Sequence, residues 1–159
     1  GEEPKAEVFP YQLASNVIPH IDVFLDNDYT KEEMKMTWET QKMLHNENIA
    51  VSATAVRVPV FRSHSEAVSI ETEKPIDATS ARAVLDKAPG IIIIDDPAQK
   101  KYPMPLYSSD TDEVYVGRIR KDISCENGLC FFVVADQLRK GAATNAVQIA
   151  QILDAEDLI

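Results

Sequence analysis

Glu113-Val-Tyr-Val-Gly117-Arg118-Ile-Arg120-Lys-Asp122 and, after a short polar stretch, Leu129-Cys130-Phe-Phe-Val-Val-Ala135 carry the clearest sheet signal in the chain. Both segments are rich in the β-branched and aromatic side chains that suit a pleated, half-buried surface. Glu126-Asn127-Gly128 between them supplies a hairpin-type turn. The pattern predicts paired strands over 113–121 and 129–135. Working outward, Thr30 and Glu33 stand at capping-box spacing, which predicts a helix over 31–46 through Met34, Trp38, Met43 and Leu44. An apolar run, Val17, Ile18, Ile21, Val23 and Leu25, stops at the turn signal Asp26-Asn27-Asp28. Residues 50–61 and 65–73 read as a strand pair, and 91–94 as a short buried strand. Helices are predicted over 79–87, between Pro75/Asp77 and Pro89-Gly90, and over 141–154. Elements in this order, without a regular βαβ repeat, predict an α+β domain: one mixed or antiparallel sheet with helices packed on one face. The other face is left for solvent or for a partner.

Composition bounds the function. The 159 residues fit one domain with a real core, and 45% hydrophobic content argues against disorder. A net charge of −10 disfavours nucleic acid and anionic membrane as partners. No apolar stretch approaches the roughly 20 residues needed to cross a bilayer. Cys125 and Cys130 match neither C-x-x-C nor a zinc pattern, so no metal site is expected. A hairpin disulfide between them is the alternative to two free thiols, which suit a cytoplasmic protein. Residues 1–7 read as an exposed lead-in, in keeping with a chain that begins partway through a larger protein.

The chemistry is concentrated at Arg57-Val-Pro59-Val-Phe-Arg62-Ser-His64-Ser-Glu66. An arginine in an apolar, β-prone run needs an anionic partner or a polar cleft, and it grips a carboxylate through two parallel hydrogen bonds. Histidine is the side chain that titrates closest to neutrality. Seven residues of ideal strand would span roughly 23 Å and put the two groups on opposite faces. One site therefore requires a bend or bulge near Pro59 or Ser63. The plainer alternatives are an exposed edge-strand arginine and a capped surface histidine. Glu32 and Lys35, one helical turn apart, are by spacing alone an ordinary ion pair. His20 reads as a satisfied structural histidine, His45 as part of a polar helix end, and Trp38 as core. Arg118, Arg120 and Lys121 form a basic stripe suited to interface ion pairs.

An ordered series of motifs extends over roughly residues 8 to 155: Phe9-Pro10-Tyr11, Asn16-Val-Ile-Pro-His-Ile-Asp22, Tyr29-Thr-Lys-Glu32-Glu33-Met-Lys35, Glu39-Thr40-Gln-Lys42, Arg57-Val-Pro-Val, His64-Ser-Glu66, Val116-Gly-Arg118-Ile-Arg120-Lys-Asp122 and Lys140-Gly-Ala-Ala-Thr-Asn145. This series resembles the carboxy-terminal half of aspartate-β-semialdehyde dehydrogenase. The resemblance implies a dimerisation domain of the glyceraldehyde-3-phosphate-dehydrogenase-like type over residues 8–140, self-associating through its sheet face. It also implies that residues 141–159 carry a helix that packs on an amino-terminal dinucleotide-binding domain absent from this chain.

That family makes L-aspartate-4-semialdehyde from 4-phospho-L-aspartate with NADPH, on the route to lysine, methionine and threonine. The resemblance assigns His64 as the acid–base group, Arg57 to the substrate carboxylate, Glu32 to its amino group, Lys35 to phosphate and Asn145 to the nicotinamide. The family's nucleophilic cysteine in an Asn-Cys-Ser/Thr setting and its glycine-rich cofactor turn have no counterpart here. NADP would thus be bound mainly by the absent domain, and the chain alone is expected to be inactive. The alternatives are a non-catalytic dimerisation module of the same fold, or a domain like that of N-acetyl-glutamyl-phosphate reductase. The family implies a cytoplasmic setting, or a plastid were the source a plant.

Overall fold

A computed structural model describes residues 6–159. The first five residues of the expected lead-in lie outside that range, and Ala6 and Glu7 are exposed. The chain forms two compact units, Gly1–Pro59 and Val60–Ile159.

In the first unit, α1 (Lys31–Met43) starts where the capping box predicts. The Thr30 hydroxyl accepts from the Glu33 amide at 3.3 Å, and the Glu33 carboxylate accepts from the Thr30 amide at 2.7 Å. The remaining Glu33 oxygen accepts from the Ala55 amide at 2.9 Å. Thr37 and Gln41, further along the same helix, donate to the carbonyls of Val51 and Ile49. An extended segment thus runs back along α1 with its polar backbone groups answered by helix side chains. This is why residues 50–61 form no strand, contrary to expectation: the side chains of α1 take the place of a ladder partner. Arg57 alone makes an isolated antiparallel bridge, to Ile18. The apolar run 17–25 contributes isolated bridges at Ile18 and Phe24. Trp38 is 50% exposed and not a core residue. His20 stacks on Phe24 with ring centroids 4.5 Å apart.

The second unit holds one four-stranded sheet. Its elements in chain order are β1 (His64–Glu71), α2 (Ala78–Leu85), β2 (Ile91–Ile93), α3 (Pro105–Ser108), β3 (Val114–Lys121), β4 (Gly128–Ala135) and α4 (Ala143–Ala155). The strand order is β1-β4-β3-β2. β4 is antiparallel to both β1 and β3, whereas β2 joins β3 in parallel, so the sheet is mixed. The period-2 alternation sends Val116, Leu129, Phe131 and Val133 to one face, where Ala81 of α2 completes the core. The Asp77 side chain caps α2 by accepting from the Ser80 amide at 2.7 Å.

On the opposite face Pro103 lies against Gly117, where a Cβ would stand 2.6 Å from the proline ring and in collision with the Ile94 carbonyl, so only glycine fits. Between Gly117 and Arg120 the β3–β4 register shifts, and Arg118 takes a φ of 55°. The irregularity is held by Asp95, which accepts from the amides of Arg118 and Ile119 and from Arg82. Such a bulge rotates the residues beyond it relative to the pleat. Strict alternation of the basic stripe therefore breaks at Arg118.

Candidate active-site elements

Glu32 and Lys35 owe their availability to the cap beside them. Glu33 is buried, both its oxygens taken by backbone amides. The hydrogen bonds from Thr30 and then Ala55 hold its carboxyl below the ordinary glutamate range against the opposing effect of burial. Glu32, one position earlier, points to a different helix face and meets the Lys35 ammonium at 3.0 Å. That hydrogen bond raises the Lys35 pKa, so the ammonium stays charged. The pair is partly exposed, as a carboxylate and an ammonium must be to exchange each other for ligand charges.

Arg57 lies two residues beyond Ala55, the residue that Glu33 ties to α1. Its guanidinium sits 4.6 Å over the Phe9 ring, which fixes its plane without using its hydrogen bonds. No carboxylate among the described residues pairs with it. The fork is therefore free for an external carboxylate.

His64 opens β1 and is exposed, paired across the sheet with Ala135. The break expected between Arg57 and His64 is present: the chain bends at 59–62, and Ser63 has a φ of 76°. Asn145 lies in the first turn of α4, half-buried, its amide N–H donating to the Arg139 carbonyl at 3.2 Å. Asp112 anchors this turn by accepting from Arg139 at 2.9 Å and Thr144 at 3.2 Å. Beyond it, Val147, Ile149 and Ile152 of α4 are more than half exposed. The fold thus gathers Glu32, Lys35 and Arg57 into the first unit, and His64 and Asn145 into the second. The supports at Glu33, Asp112 and the Phe9 ring went unassigned in the sequence, except that capping-box spacing marked Glu33.

Glu33 also sets a pH dependence. Its folded pKa is lowered, so the clamp contributes fully above the ordinary glutamate pKa of about 4.3 and loses that contribution as the pH falls through the lower folded value. Glu33→Gln should lower the thermal midpoint near neutral pH, and the gap to wild type should narrow toward pH 3. A gap that is constant with pH, measured by circular dichroism melts, would show that the carboxylate charge has no part in the clamp.

Among the described residues no group of three or more His, Cys, Asp or Glu side chains is placed to hold a metal ion. Cys125 and Cys130 are free thiols, each half-buried. Among the described residues no helix is long and apolar enough to cross a membrane.

The second unit is thus a mixed four-stranded sheet covered by α2, with an exposed histidine at the start of its first strand, an α+β fold of the dimerisation-domain class. Residues 1–140 match the family described as semialdehyde dehydrogenase, dimerisation domain, and the chain belongs to that family. It is 60% identical over 158 residues to aspartate-semialdehyde dehydrogenase of Aquifex aeolicus, a match over 99% of this chain and 46% of that protein. Its fold superposes on aspartate semialdehyde dehydrogenase II of Vibrio cholerae, solved complexed with ASA, with a TM-score of 0.90 and 49% identity over 95% of this chain and 44% of that one. The Candida albicans enzyme solved with NADP gives 0.73 and 26% identity over 92% of this chain and 46% of that one. The chain spans less than half the length of these relatives, and the part it matches is their dimerisation domain.

Proposed function

We propose that the chain is the substrate-binding and dimerisation half of an NADP-dependent aspartate-semialdehyde dehydrogenase, which converts 4-phospho-L-aspartate to L-aspartate-4-semialdehyde and phosphate. The observation that carries this is the 60% identity to the Aquifex aeolicus enzyme along 99% of the chain. Relatives of this kind do not favour N-acetyl-glutamyl-phosphate reductase.

In this role Arg57 takes the α-carboxylate through its unpaired fork, Glu32 takes the ammonium, and Lys35 turns to the phosphoryl oxygens. The substrate acyl group is carried on a cysteine thiolate of the rest of the protein. His64 gives up and recovers the proton that the tetrahedral species and the thiol exchange. NADPH, when bound, supplies the hydride that reduces the acyl carbon. Asn145 fits the cofactor: its half-buried side-chain amide in the first turn of α4 offers one donor group and one acceptor, matching a nicotinamide carboxamide. The exposed apolar residues of α4 are the surface for the dinucleotide-binding domain. A second copy of the chain packs on the sheet face opposite α2, where Ala67, Ser69, Cys130 and Phe132 lie.

The test uses the full-length enzyme in phosphate- and NADP-dependent oxidation of the semialdehyde. Arg57→Lys should raise KM for the semialdehyde about tenfold or more, because a lysine cannot reproduce the bidentate grip, with kcat much less affected. An unchanged KM would remove Arg57 from the carboxylate site. Absence of any turnover by the wild-type enzyme would sink the proposed activity.

A further inference from the structure

Half-buried Arg62 and fully buried Asp136 form an ionic node at the corner where β1 begins and β4 ends. We infer that this node, acting through Ser63, positions His64; the inference rests on the acid–base role proposed for that histidine. Asp136 is fully buried. One of its oxygens accepts from the Leu138 amide at 2.9 Å, the other from the Asp110 amide at 2.8 Å and from the Arg62 guanidinium at 2.8 Å. Burial alone would raise this carboxyl's pKa, but the two backbone amides and Arg62 outweigh it and hold it low, so the charge persists. The second arm of Arg62 reaches Asp110 at 2.8 Å. Arg62 Nε is buried without a partner among the described residues, a cost that fits a group retained for geometry rather than for stability.

Ser63 connects this node to His64. Its φ of 76° is costly for a residue with a Cβ and persists only where the surroundings over-determine it. Here its amide donates to Gln137 Oε1 at 2.8 Å, next in sequence to Asp136. Its hydroxyl lies 2.9 Å from that of Ser108 and 3.1 Å from that of Ser109. Ser63 and Ser108 are both buried. The backbone leaving Ser63 is therefore fixed on one side by the node and on the other by the pairing of His64 with Ala135, the residue before Asp136. Neither Asp136 nor Ser63 is accessible enough to touch a substrate, so they are positioning residues.

Ser63→Gly in the full-length enzyme separates positioning from folding. Glycine adopts the same φ without strain, so the variant folds while losing the hydroxyl tether. We expect kcat to fall about tenfold to a hundredfold, the scale of a misplacement of about 1 Å, with KM little changed. In a His64→Ala background the same substitution should leave the residual kcat unaltered, since no imidazole remains to be held. Arg62→Lys should show the same dependence on His64. Wild-type kcat in Ser63→Gly, or an equal fold loss in both backgrounds, overturns the positioning role while leaving His64 its own. Full kcat in His64→Ala alone overturns both.

Discussion

His64→Ala in the full-length enzyme is expected to lower kcat by about 10²–10⁴-fold, the usual contribution of a placed acid–base group, and to move KM for the semialdehyde far less. The direction follows from where the side chain stands. His64 is exposed at the first position of β1, and no ion pair among the described residues ties it. It is available to a reacting group rather than spent on the fold. A truncation there removes no core contact, so the variant should melt close to wild type while losing turnover. Steady-state kinetics of phosphate- and NADP-dependent oxidation, with melts of both proteins, give the comparison. A His64→Ala enzyme within twofold of wild-type kcat would return the residue to a surface histidine.

How much of this was legible before the fold differs from element to element. The strands at β3 and β4 and the start of α1 follow from alternation and from the Thr30/Glu33 spacing, because these are local signals between residues a few positions apart. Mixed connectivity, with β2 parallel to β3, agrees with an α+β order. Residues 50–61 have the composition of a strand, yet they lie along α1, and composition cannot distinguish a ladder partner from a row of helix side chains. α3, at four residues, is too short to leave a periodic trace. Trp38 reads as core by residue type, but its half-exposed ring is set by which helix face the extended segment covers. The Arg62–Asp136 node joins residues 74 positions apart, and nothing in either local sequence signals the other. Arg57 stands out as an arginine in an apolar run and is assigned to the carboxylate by family likeness, whereas Glu32 and Lys35 are assigned by likeness alone. What the fold adds is physical: Glu33 is committed to the backbone, leaving Glu32 beside Lys35, and Arg57 is steadied by an aromatic ring.

The 159-residue chain by itself should show no semialdehyde-dependent NADP reduction, and addition of the amino-terminal half of the enzyme should restore it. The chemistry needs a thiolate, and neither cysteine here is suited to supply one. Burial first, then the charge of Asp122, pushes the Cys125 thiol up, which disfavours the nucleophilic form. Cys130 lies within β4, its sulfur 3.3 Å from the Ser69 hydroxyl. Neither stands in an Asn-Cys-Ser/Thr setting, and no glycine-rich turn follows a strand to receive a pyrophosphate. The α4 residues proposed above as the docking surface, Val147, Ile149 and Ile152, are 58%, 51% and 62% exposed. Docking on α4, as proposed, predicts that mixing the two halves slows amide exchange in α4 in step with the return of turnover. Absorbance of reduced cofactor and hydrogen exchange of the same samples read both. Turnover by the purified chain alone would place a nucleophile and a cofactor site within these residues. Restored turnover with α4 still exchanging freely would move the docking surface elsewhere.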